Sequence, residues 1–531
     1  MTPTIAADLA KDASPESRST VGCRGNRAFE IAISFLFGAG FFLLVRASPD
    51  LPGGTDGYRH VKQAIRLITE PRAMFADPWH LPFLWHKPVD PWFGYHVMLA
   101  PFVFLFEPMT AIKALSSVIF GLTAYVLFLL LRHLEVQHRT FWVLMVMAGS
   151  SMTLGRATSV RPFQLSVLLT VVAALWTLQD KPLKLGLVSL IHAFSYSVFF
   201  IVGMAPALWF LLRRDRRSGV ALLSCAAGIG LGLLANPYFP ENIRFDLFVA
   251  SVVGIARGAH VKIAGELAPS DSLWVIVACL PAALPWLAAL LLRVCRWRAT
   301  TTPVTNLLLL ISGVMAVGTV RVMRTSDFFL PFAILFAAAT LAPYLNAKRA
   351  DVAIAGILLA IPCAANVYLA HMGVMSAPSH ERFRGAATYL KTNAPDSLVL
   401  NTGWAPDYFF LFFYNSSSRY VIGIEPTFLY LADPRKYWLW RHMYEDEQGT
   451  CDHENCTDAE RIDIASAARN GLGAQYVVND HQNNPRVDNL LRKNNAVTEV
   501  YRDAALSVYC VESCVANRAG GPVQNSAQAK F

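Results

Sequence analysis

Long apolar stretches separated by short basic connections set the pattern of this chain. They recur at about Ala28–Val45, Met109–Leu131, Thr140–Leu154, Pro162–Leu178, Leu183–Phe194, Tyr196–Leu212, Val220–Ala235, Leu273–Leu292, Val304–Val320, Phe328–Tyr344 and Val352–Ala370. Apolar runs of this kind mark membrane helices, so about eleven spans are predicted. Several are shorter than the roughly 20 residues of a full crossing. Basic residues crowd alternate connections: Arg132/Arg139, Lys181/Lys184, Arg213–Arg217, Arg293/Arg296/Arg298 and Lys348/Arg349. By the positive-inside rule these connections face the cytoplasm, which predicts an N-in, C-out topology. The segment Phe93–Phe106 is apolar but short and carries Pro101, and reads as a surface or re-entrant helix.

Between the first two spans lies a polar segment, 47–95. From Tyr58 its apolar residues fall at Tyr58, Val61, Ile65 and Ile68, with Arg59, Lys62 and Arg66 between them. That spacing predicts a short amphipathic helix lying on a surface, greasy on one face and positive on the other. Thr55 or Asp56 is placed to cap its first turn. After His371 the character changes to a mixed α/β pattern of about 140 residues. A helix at Phe383–Leu390 and strands at Ser397–Leu400 and Ala474–Val478 are predicted there. The chain thus divides into a disordered cytoplasmic N-terminus (1–27), a transmembrane domain (28–371), an extracytoplasmic α/β domain (372–515) and a disordered tail (516–531).

Composition agrees with this division. The chain is 54% hydrophobic and only 16% charged, with a mean hydropathy of +0.39. An integral membrane protein has this balance. The net charge of +9 follows from the basic connections and calls for no nucleic acid, since no basic and aromatic module stands out. Cys225, Cys279 and Cys363 lie in apolar runs and read as small core residues. Cys451, Cys456, Cys510 and Cys514 form an even set in the polar part, which suits disulfides in an oxidising compartment. A zinc site using His453 is the rival reading, with spacings that match no zinc pattern.

Candidate chemistry gathers in the connections on the outer side. Asp56 and His60 lie one helical turn apart, and Asp77-Pro-Trp-His80 repeats the carboxylate and imidazole in the same segment. Each pair could be a cap beside a surface histidine, or a general base or metal ligand. Arg257, His260, Lys262 and Glu266 share a later outer loop. Arg321 and Arg324, near Asp327, stand at the outer end of a span, where an arginine snorkels or grips phosphate.

An N-in span, an outer Asp-Gly-Tyr58 ahead of an amphipathic helix, many further spans and an outer α/β domain together resemble the C-type (GT-C) membrane glycosyltransferases. The local wording is most similar to oligosaccharyltransferase catalytic subunits. The resemblance implies that Asp56 contacts a divalent metal (Mg or Mn) and the acceptor, that Glu266 joins it, and that Arg321 or Arg324 lies near the acceptor. It matches Trp404, Asp407 and Tyr408 of Gly403-Trp-Ala-Pro-Asp-Tyr408 to that family's Trp-Trp-Asp-Tyr-Gly motif, in looser spacing. The family's second acidic motif has no counterpart, because Gly155–Pro162 holds no carboxylate. The resemblance implies sugar transfer from a polyprenyl-phosphate-linked donor at the outer leaflet of a bacterial plasma membrane, to an acceptor that the sequence does not name. Asp56 and Glu266 would then be catalytic, with His60, Asp77, His80, Arg257, Arg321, Arg324, Trp404 and Asp407 binding substrate. A transporter or flippase is the alternative, as is an envelope scaffold binding through the aromatic stretch Trp404–Trp440.

Overall fold

The computed structural model describes residues 27–52, 56–258, 261–262, 265, 267, 272–344, 349–405, 407–445 and 449–511. Thr55, His260, Glu266 and Cys514 lie outside them, as do both segments expected to be disordered, Arg27 apart. The architecture is a polytopic helical body with a small mixed sheet near the C-terminus. Among the described residues seven helices are long and apolar enough to cross a membrane, or eight if the bent pair Ser151–Thr158 and Phe163–Leu178 forms one span. That pair meets at 120°. The expected span Thr140–Leu154 is divided into Arg139–Ala148 and Ser151–Thr158. The reason is local: Ser150 leaves the helical conformation and its Oγ caps the N–H of Thr153. Pro182–Ser195 and Phe199–Arg213 are helical and apolar but shorter than a crossing.

The spans pack through small residues. Helix Arg27–Arg46 meets helix Pro108–His133 so closely that a Cβ on Gly38 would stand 3.0 Å from the Ser117 carbonyl. Helix Pro182–Ser195 meets Arg216–Ala235 more tightly still, where a Cβ on Gly228 would fall 2.1 Å from the Gly186 carbonyl. Lipid is as apolar as leucine, so helices in a bilayer associate through such backbone proximity rather than through expelled water. Charge appears at the ends of the spans. Glu30 is buried against Arg132 and Arg139, with Arg139 Nε at 2.8 Å. At the other end Lys113 Nζ donates to the carbonyls of Ser48 (2.7 Å) and Pro49 (3.1 Å), which pins the start of segment 47–95.

The α/β domain is built on five strands: β1 (Leu398–Asn401), β2 (Arg419–Tyr420), β3 (Tyr476–Asp480), β4 (Thr498–Arg502) and β5 (Leu506–Cys510). Their order is β2-β1-β3-β5-β4, with β2, β1 and β3 parallel and β5 antiparallel to both β3 and β4. The predicted strands correspond to β1 and β3, and the predicted helix to Arg384–Asn393. Cys451 and Cys456 form a disulfide, and Cys510 is disulfide-bonded as well. The sulfurs near His442 are therefore not thiolates free for zinc.

Helix Asp56–Thr69 corrects the sequence reading. It does not lie on a surface: Tyr58, Arg59, His60, Gln63 and Arg66 are all buried. One side packs on the membrane body and the other on helix Asp407–Tyr414 of the α/β domain, where the Tyr58 ring meets Phe410 edge-on at 4.9 Å. The positive stripe is buried because the following loop receives it. Arg66 Nη1 donates to the carbonyls of Asp77 (3.1 Å) and Pro78 (3.2 Å). Arg59 lies between the Trp79 and Trp92 rings, 4.5 Å from each centroid. The helix is the joint between the two halves of the molecule.

Candidate functional site

Asp56 stands at the first turn of this joint helix, where the dipole favours a negative charge. Its carboxylate keeps 20% of its surface open, and Arg161 Nη1 lies 3.2 Å away. Arg59 Nη2 approaches from inside the helix at 3.7 Å. From Arg59 a buried chain runs inward. Arg59 Nη2 contacts His60 Nε2 at 3.1 Å, His60 Nδ1 meets His96 Nε2 at 2.8 Å, and His96 Nδ1 meets Asp90 Oδ2 at 2.6 Å. His60 therefore does not turn to Asp56 as the sequence spacing implied; Arg59 stands between them. Burial holds the His60 imidazole well below its usual pKa, and the positive charges of Arg59, His96, Arg161 and Arg324 act the same way. It is a neutral, oriented ring in this site.

Other arginines have partners of their own. Arg156 Nε donates to both oxygens of Asp327, at 3.1 and 2.8 Å. Arg324 Nη2 donates to the Tyr196 hydroxyl at 2.8 Å. Arg321 ends helix Pro303–Arg321 and is exposed. Arg257 lies near the end of helix Glu241–Gly258, and Glu266 falls outside the described residues. The expected pair Asp56 and Glu266 is thus represented by Asp56 alone. Among the described residues Asp56 joins no cluster of three acidic, histidine or cysteine ligands. Two guanidinium groups face it, Arg161 and Arg59.

The second pair of the loop has a structural duty. Asp77 Oδ1 accepts the backbone N–H of Trp79 (3.3 Å) and of His80 (2.8 Å), a carboxylate turn. His80 adopts the left-handed conformation (φ 53°). Its carbonyl accepts the N–H of Tyr420, which ties the loop to the edge of the sheet at β2. Burial, and then the nearby Arg66, push the His80 imidazole down to about 4.

On the α/β side Asp407 heads its own helix and lines a cavity of about 360 Å³ with Arg382, Thr402, Asp480, Asn483 and Tyr444. This cavity opens past the carboxyl ends of β1 and β3, the crevice where open α/β sheets take ligands. Asp407 Oδ2 accepts the Gly403 N–H at 3.1 Å. Burial raises its carboxyl to about 6, and neighbouring Asp480 adds to the rise. Asp480 itself is paired with Arg382. Trp404 is half-buried against the hydrophobic cluster around Trp440 and Tyr437.

Sequence reading passed over Arg59, Arg161, Asp90 and His96. One signal for Arg161 was present: Arg156 and Arg161 are two basic residues in a connection on the side opposite the basic ones.

Solved structures share this fold, a helical membrane body that carries a small mixed sheet. The Archaeoglobus fulgidus oligosaccharyltransferase, tethered to an acceptor peptide with an NVT sequon, aligns with a TM-score of 0.61 at 11% identity over 86% of this chain and 69% of that one. The same organism's oligosaccharyltransferase AglB, in complex with an inhibitory peptide and a dolichol-phosphate, gives 0.59 at 12% identity, over 86% and 69%. Apo ArnT from Cupriavidus metallidurans aligns over 91% and 98% at 12% identity, with a TM-score of 0.49. No protein-family model and no curated protein matches the sequence.

Proposed function

We propose that this protein is a membrane glycosyltransferase that moves a sugar from a polyprenyl-phosphate-linked donor to an acceptor at the domain side of the membrane. The observation that carries the reading is Asp56: a partly open carboxylate at a helix head, between the membrane body and the α/β domain, with Arg161 and Arg59 beside it. In this reading the acceptor nucleophile gives its proton to the Asp56 carboxylate and attacks C1 of the sugar. The bond from C1 to the phosphate oxygen breaks, and its electron pair stays on that oxygen. Arg161 and Arg324 meet the growing phosphate charge, and Arg257 and Arg321 are proposed to assist them. Trp404 and the cavity at Asp407 take part of the acceptor. The proposed location is a bacterial plasma membrane with the α/β domain outside, where its disulfides would persist.

The test is to incubate the purified full chain with a labelled polyprenyl-phosphate sugar, beside Asp56→Asn at equal membrane level. Cleavage of the donor by the parent and its loss in Asp56→Asn is the expected result. Movement of the donor across vesicles without cleavage would replace this reading with a flippase. Neither cleavage nor movement would leave a scaffold.

A further inference from the structure

We infer that the crevice at the carboxyl ends of β1 and β3 binds a saccharide, so that the acceptor of this protein is a glycan. Naming the acceptor rests on the proposed transfer, whereas the binding site stands on the α/β domain alone. Sheet order places it. The connection leaving β1 runs to β2 on one side, and the one leaving β3 runs to β4 on the other. Connections that part in this way open a crevice at the switch point of a sheet. Here it is the cavity of about 360 Å³ already described, within the range of small-molecule sites. Thr402 Oγ1 donates to Asn479 Oδ1 at 2.9 Å and ties the two strand ends together.

Both strand ends supply polar lining: Thr402 and Asp407 after β1, Asp480 at the end of β3, then Asn483 and Asn484. These side chains hold one another in place. Asp480 pairs with Arg382 and accepts the Asn483 N–H at 3.0 Å and Asn483 Nδ2 at 2.8 Å. With that nitrogen committed, the Asn483 amide oxygen is left as an acceptor. Carboxylates and amides fixed in this way match the adjacent hydroxyls of a sugar ring, whose O–H groups donate to them in charge-assisted bonds. Phe383 and Phe410 add apolar lining for the C–H face of the ring. A free phosphate would face the carboxylates of Asp407 and Asp480, and an extended peptide pairs with the edge of a sheet rather than with strand ends. The helix that opens with Asp407 packs on the joint helix Asp56–Thr69. A glycan held here therefore sits beside the element that presents Asp56.

Binding tests this without any transfer. The full chain is labelled with a fluorophore and held in phosphatidylcholine nanodiscs, because glucoside and maltoside detergents would compete for the site. It is passed over an array of hexose, pentose, N-acetylhexosamine and uronic-acid oligosaccharides, with a peptide array beside it. Binding to at least one class of oligosaccharide, ahead of any peptide, is expected. The best-bound oligosaccharide is then titrated against two variants. Asn483 is exposed, so Asn483→Ala leaves the core untouched and should weaken binding about tenfold, as loss of one good hydrogen-bonding group does. Ala405→Trp puts an indole into the cavity that Ala405 lines and should abolish binding. No bound oligosaccharide, or peptides bound in preference, would overturn the inference. Binding that survives unchanged in either variant, with a melting curve like the parent's, would overturn it as well. The two readings fail separately. A parent that binds a saccharide in this crevice yet cleaves no donor keeps the site and removes the proposed transfer, and one that cleaves donor but binds no saccharide does the reverse.

Discussion

Two aspartates, Asp56 and Asp407, each open a short helix, Asp56–Thr69 and Asp407–Tyr414, and each lies next to an aromatic joint: Tyr58 on one side, Tyr408 on the other. By sequence they are near equivalents. Their surroundings make them opposites. Asp56 is partly open and faces Arg161 and Arg59. Asp407 is enclosed and has Asp480 and Arg382 as charged neighbours, and burial, ahead of Asp480, lifts its carboxyl to about 6 against the pull of the Gly403 N–H and Arg382. A helix head favours a carboxylate by a few tenths of a kcal/mol to about 1. Burial outweighs that at Asp407, whereas at Asp56 the arginines add to it. The same local signal therefore yields an acid paired with guanidinium groups in one half and a readily protonated one in the other.

The comparison can be broken from several directions. The largest effect is expected from the chain behind Asp56, which has no counterpart behind Asp407. Asp90 and His96 are both fully buried and joined at 2.6 Å. Asp90→Ala strands the imidazole and, through it, His60 and Arg59. Thermal unfolding in detergent should show a loss on the order of 3 kcal/mol or more, the usual cost of removing one partner of a buried pair. An unchanged melting temperature would mean the chain does not support the site.

Next comes Asp56→Asn. Asparagine caps as well as aspartate, so stability should stay within a few tenths of a kcal/mol. Sugar transfer should fall about 10²-fold, the lower end for loss of a general base. Equal transfer would reduce Asp56 to a cap and make the two helix heads alike after all.

The effect at Asp407 depends on pH. Burial raises its folded-state pKa from 3.8 to about 6, so between those values the folded protein holds a proton that the unfolded chain has lost. Its contribution to stability is therefore present near pH 4, declines as pH rises to about 6, and is flat above. Asp407→Asn has no charge to bury. The variant should match the parent near pH 4 and exceed it at pH 7, by on the order of 3 kcal/mol for a shift of about two units. Melting curves across that range check the sign. A variant less stable than the parent at pH 7 would show that Asp407 is held ionised by contacts of its own.

Much of the body was legible beforehand. The apolar runs and the change of character near His371 follow from composition alone, because lipid demands continuous apolar surface and water does not. Helix Asp56–Thr69 was legible as a helix from its three-and-four spacing. The strands β4 and β5 were not, since Thr498–Arg502 alternates weakly and Leu506–Cys510 is buried on both faces. A strand buried on both faces has no period to read.

What the sequence determined by itself is the class of molecule and the placing of one acid: an integral membrane protein with Asp56 at the head of a short helix. It could do so because hydropathy and capping are properties of neighbours along the chain. Tertiary structure alone decided that Arg59 and Arg66 are interior, that His60 turns to His96, and that Arg161 comes to rest on Asp56. Each of those depends on loops and helices that meet only after the spans have packed. Burial and charge pairing, which set whether a carboxylate is ionised and what it can hold, are decided across such contacts and not within any local stretch.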